Sequence, residues 1–189
     1  MATHSPTVTL SPSDLREVAR FAVACARPAL AIFERERPDD RRPQTAIDAA
    51  QAFVDGAKRG KALRDSAWAA QRAAQDARDA GQGAASDAAR AAVAAAGAAF
   101  LHPLPKASQV KHILGAAAHA ARAFELSTGD GDVAADRIAH ARSLARPVVV
   151  DVLRRFPAAP SGGGRVGELI RRLDASLRTL PTAGCGAPG

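Results

Sequence analysis

The stretch from Ala84 to Ala99 constrains the fold of this chain most tightly, because nearly every apolar position in it is alanine. Alanine is the strongest helix former, and helices built from it can bring their backbones close together. Long alanine-rich windows leave little room for strands. Alanine supplies about half of the 47% hydrophobic residues, aromatics make up only 4%, and Tyr is absent. The core must therefore be helix packed on helix with small side chains at the contacts. We expect an all-α, single-domain bundle of about seven to eight Ala-rich helices. A chain of 189 residues can bury such a core without metal or disulfide staples.

Apolar residues recur at helical spacing from Asp14 through Leu15, Val18, Ala22, Cys25, Ala29, Ile32 and Phe33. This predicts a first helix, bent at Pro28 and capped by Ser13 or Asp14. Further helices are predicted from Pro43 to about Asp55, Lys61 to Ala80, Ala84 to Leu101 and Ala107 to about Ser127. Short helices through Ile138 to Ala145 and from Pro147 follow. Pro157 to Gly164 reads as a flexible connector, and Val166 to Arg178 as a last amphipathic helix. The expected organisation is a disordered segment 1–12, a helical domain 13–179 and a disordered tail 180–189. No basic leader or apolar run of membrane-spanning length is seen, and Cys25 and Cys185 form no disulfide framework, so a reducing cytoplasm is the expected location.

Three features could carry recognition. The first is the turn Arg37-Pro38-Asp39-Asp40-Arg41-Arg42-Pro43, whose two prolines would hold the charged side chains Arg37, Asp39, Asp40 and Arg41 at a fixed corner. The second is Trp68, the only tryptophan, with Arg64, Gln71 and Arg72 at neighbouring helical positions; it is either a core anchor or an interface hot spot. The third is the pair His112 and His119, seven residues apart on one helical stripe, with Lys111 beside them. Two turns of helix separate such imidazoles by about 10 Å, too far for a shared metal ion, and no metal or cofactor is expected.

Other chemistry lacks its motifs. The loop around Asp130 and Asp132 misses the closing Glu of a calcium loop, and Gly162-Gly163-Gly164-Arg165 misses the Lys-Ser or Lys-Thr of a phosphate loop. No nucleophile elbow is present. The formal charge of +7 is concentrated at the end of the chain: residues 137–189 hold nine basic and three acidic side chains. A basic end suggests nucleic acid, an acidic protein partner, or solubility alone.

The segments Ala29 to Glu34, Arg37 to Pro43, Lys61 to Ala70, Gln109 to Ala117 and Arg165 to Leu169 together resemble the Imm-5-like family of bacterial immunity proteins found in polymorphic toxin systems. One departure is Gln71, which stands where such sequences are expected to carry histidine. The resemblance implies an all-α cytosolic protein that binds and neutralises a cognate toxin without catalysis. Candidate partner-binding residues are Arg37, Asp39, Asp40, Arg41, Trp68, Lys111, His112 and His119. One alternative is a basic helical protein that binds nucleic acid through Arg154, Arg155, Arg165, Arg171, Arg172 and Arg178. A further alternative is a small-molecule or metal-dependent enzyme using the His112, His119 and Asp39 region.

Overall fold

A computed structural model describes residues 7–181. Nine α-helices follow one another among these residues: α1 (Pro12–Ala26), α2 (Leu30–Glu36), α3 (Arg42–Val54), α4 (Lys61–Asp79), α5 (Gly83–Ala98), α6 (Val110–Thr128), α7 (Gly131–Leu144), α8 (Pro147–Arg154) and α9 (Gly164–Arg178). The first two run on through one 3-10 turn, Arg27–Ala29, so the chain forms eight helical rods. That turn carries Pro28, whose missing N–H and fixed φ interrupt the α-helical hydrogen bonding where the sequence places a bend. The multi-helix bundle predicted from alanine content is the observed architecture.

The alanine helix is the centre of the bundle. Helix α5 packs against α4, α6, α1, α3 and α2, and Ala85, Ala88, Ala89, Ala91, Ala92, Ala95, Ala96 and Ala98 are fully enclosed. Side chains this small let neighbouring backbones close in from several sides, which larger residues would hold apart. Phe33, Ile47 and Leu114, from helices packed against α5, fill the spaces around it, while Leu153, Leu169, Leu173 and Leu177 are buried on α8 and α9, which pack against α6 and other helices.

Several ends are tied more tightly than the sequence suggests. The cap of α1 is Ser11, not Ser13 or Asp14: the Ser11 hydroxyl accepts from the Asp14 N–H at 3.0 Å, and the Asp14 carboxylate accepts from the Ser11 N–H at 3.0 Å. The expected disordered segment 1–12 is packed over its described part, because Val8 is buried and donates to the Pro103 carbonyl at 2.7 Å. Residues 1–6 and 182–189, including Cys185, lie outside the described residues. At the other end Leu180 donates to the Leu177 carbonyl at 3.1 Å.

The connector from Pro157 to Gly164 is likewise anchored. Asp174, 3% exposed, accepts from the Ala159 N–H at 2.9 Å, and Arg171 donates to the carbonyls of Pro160 at 3.2 Å and Gly162 at 2.6 Å. Gly167 is required by this turn, since a Cβ there would stand 2.0 Å from the Gly162 oxygen. The start of α9 is clamped to α6 by Glu125, which accepts from Arg165 at 2.7 Å and from Arg122 at 2.7 Å. The Arg165 guanidinium beside it holds the Glu125 carboxyl below the usual carboxylate range. Among the described residues no helix is long and apolar enough to cross a membrane.

Candidate functional site

The clamp fixes α9 beside α6, and together with α4 it frames an open groove of about 700 Å³. Helices α5 and α6 form its floor through Val93, Ala94, Gly97 and Gly115; α4 contributes Gln71 and Arg78, and α9 contributes Val166, Gly167 and Ile170. The floor lies close to the helix backbones because its residues are small. A Cβ on Gly115 would meet the Ala94 Cβ at 3.6 Å, and one on Gly97 would meet His112 Nδ1 at 3.9 Å.

Lys111, His112 and His119, expected from one stripe of α6, all line this groove. His119 Nδ1 is 2.7 Å from the Asp87 carboxylate of α5. That contact fixes the ring orientation and meets the only carboxylate lining the groove among the described residues. His112 has no such partner. Burial, with Lys111 beside it, pushes its pKa below the ordinary histidine value of 6.5. The folded protein thus favours neutral His112, and an unfolded chain takes up the proton first as pH falls. Stability from this residue is full above about pH 6.5 and lost below it, as pH approaches the depressed folded value. The urea midpoint is expected to fall between pH 7 and pH 5, and His112→Gln should reduce that fall, measured by circular dichroism.

Arg90 of α5 and Lys111 stand out electrostatically. Both line the groove, and neither donates a hydrogen bond or pairs with a carboxylate among the described residues. Arg78 adds a third cation, bonded only to the Gln75 amide. Sequence reasoning missed Asp87, Arg90 and Arg78. The available signal was that Asp87 and Arg90 are the only charged residues in α5. Gln71, the departure noted above, lies in this same groove.

The Arg37 to Pro43 corner does not line the groove but is bolted to the end of α4. Arg37 donates to Gln82 Oε1 at 2.7 Å and to the Asp76 carbonyl at 2.9 Å, while Arg42 bridges Asp40 at 2.6 Å and Asp76 at 2.7 Å. The Arg42 hydrogen bond holds the Asp40 carboxyl below its ordinary pKa. Arg37 and Asp40 therefore serve the fold. Asp39 and Arg41 are exposed, and their side chains form no hydrogen bond among the described residues. Asp39 does not converge with His112 and His119.

Trp68 is 62% exposed. It lies one turn from groove-lining Gln71, and the Ser86 hydrogen bond to the Ala74 carbonyl fixes α4 and α5 antiparallel, so Trp68 stands toward the Gly97 end. Leu126, the other exposed large hydrophobic residue, lies at the opposite end, 3.6 Å from where a Gly83 Cβ would be.

The C-terminal arginines are largely committed to the fold. Arg154 donates to the Arg178 carbonyl at 2.9 Å, Arg155 pairs with Asp14 at 2.8 Å, Arg165 with Glu125, Arg171 with the connector carbonyls, and Arg178 with Asp174 at 2.8 Å. Of the six, Arg172 alone makes no such bond among the described residues. These contacts hold the guanidinium groups against their own chain, which weakens the case for a phosphate-tracking surface. Among the described residues no three His, Cys, Asp or Glu side chains gather as a metal site.

A family model described as "Imm-5 like putative immunity protein" matches residues 9–146. No curated protein and no solved structure matches.

Proposed function

The chain belongs to the Imm-5 like immunity protein family, and from that premise we propose that it binds and neutralises a toxin in the cytoplasm by non-catalytic protein–protein interaction. The observation that carries this reading is the exposed Trp68 at the edge of a preformed groove. A large aromatic ring left 62% exposed, when Leu126 is the one other exposed large hydrophobic side chain among the described residues, suits an interface anchor rather than the core. Neutralisation then needs only occlusion of the toxin's working surface, with a few anchors supplying most of the affinity.

The test is capture of partners by the tagged protein from its host's lysate, at low and high salt, with mass spectrometry of what is retained. One polypeptide with toxic activity, held at high salt and inactivated in the complex, is the expected result. Recovery of nucleic acid alone, released by salt, would defeat the reading. Trp68→Ala is expected to leave the unfolding free energy from urea denaturation within about 0.5 kcal/mol of the parent, because the ring is exposed, while weakening toxin binding by about tenfold or more. Calorimetry on the captured pair measures the second effect.

A further inference from the structure

The groove is electrostatically incomplete within the chain. Its one lining carboxylate, Asp87, is met by His119, whereas Arg90 and Lys111 have no acceptor among the described residues. The C-terminal arginines behave differently, since five of the six named above are bonded to their own chain. Unanswered cations in a cleft lined by Val93, Val166 and Ile170 call for an anion attached to a chain with some apolar character.

Shape narrows the class of occupant. The floor runs along α5 from Gly83 to Gly97, about 21 Å at the helical rise. An extended peptide of about six residues covers that length. Exposed Leu126 beside Gly83 and exposed Trp68 one turn from Gln71 offer apolar contacts to a segment that continues past the groove. Nucleic acid fits less well, because no Phe, Tyr or Trp side chain lines the groove to stack a base.

We infer that the groove receives an acidic, extended segment of the partner protein, its carboxylates anchored by Arg90 and Lys111. The identity of that partner as a toxin rests on the reading proposed above. The groove chemistry rests on the lining residues alone.

The test titrates the full-length protein with fluorescein-labelled hexaglutamate, hexalysine and a hexathymidylate oligonucleotide. Anisotropy reports affinity, and amide and imidazole NMR shifts report location. The expected result is binding of hexaglutamate alone, with shifts concentrated at Gly97, Gly115, His112 and His119. The double variant Arg90→Ala/Lys111→Ala should bind it about tenfold or more weakly, with an unchanged urea midpoint because neither side chain is bonded within the fold. Absence of hexaglutamate binding, shifts located elsewhere, equal binding by the double variant, or preference for the oligonucleotide would each overturn the inference.

The same double variant in the lysate capture separates the two readings. If wild type and variant retain the same toxin equally, the groove inference fails and the immunity reading stands. If hexaglutamate binds the groove but no toxin is retained, the immunity reading fails and the acidic-segment site stands.

Discussion

Ala92→Leu is expected to cost this protein about 3 kcal/mol or more, the largest effect of any single apolar replacement considered. Ala92 has no exposed surface and belongs to the helix that five others surround. Three additional carbon atoms there have no gap to occupy, so a neighbouring helix must move away or the leucine must adopt a strained rotamer. Displacing one helix also loosens the other contacts of α5. For a chain of this size, such a loss lowers the thermal midpoint by roughly 6–12 °C. Scanning calorimetry checks the value, and Ala94→Leu is the informative control. Ala94 lines the groove and has space above it, so its larger side chain should be tolerated in stability while shortening the groove. Equal destabilisation by the two replacements would contradict this account of the core.

Asp174→Ala is expected to cost about 3–5 kcal/mol by a different route. The carboxylate is 3% exposed and accepts from the Ala159 N–H at 2.9 Å and from Arg178 Nε at 2.8 Å. Arg178 in turn donates to the carbonyls of Leu153 at 3.2 Å, Phe156 at 3.2 Å and Pro157 at 3.3 Å, which closes the end of α8. Removing Asp174 leaves a partly buried N–H without an acceptor and a partly buried guanidinium without its counter-charge. Asp174→Asn keeps an acceptor and should recover part of the loss. Urea denaturation measures both, and a ΔΔG below about 1 kcal/mol for Asp174→Ala would show that the connector is not held by this residue.

The helices were readable because alanine, leucine and valine recur at helical spacing and Pro28, Pro43 and Pro147 mark bends or starts. The errors fall where backbone groups are met by particular side chains, near or distant in the sequence. Ser11 rather than Ser13 caps α1 because the reciprocal bonds require spacing to Asp14 at the third helical position. The connector 157–164 looked flexible by composition, yet its carbonyls and N–H groups are matched by Arg171, Arg178 and Asp174, whose direction composition does not encode.

The groove was half legible for the same reason. His112, His119 and Lys111 share one helix, so period alone aligns them. Asp87, Arg90 and Gln71 join them only through the register of α4 and α5 against α6, a property of three-dimensional packing. At the charged corner, Arg37 and Asp40 are spent on Asp76, Gln82 and Arg42, leaving Asp39 and Arg41 as its exposed charges.

The small residues under the groove also affect the thermodynamics of whatever settles there. Ala94, Gly97 and Gly115 have no rotamers to freeze, so that part of the surface is as ordered before an encounter as after it. A floor of leucines or methionines would surrender about 0.5–1.5 kcal/mol of side-chain freedom for each residue immobilised. By building its floor from backbone and methyl groups, the protein confines that cost largely to the cationic rim, where Arg90 and Lys111 must still be ordered.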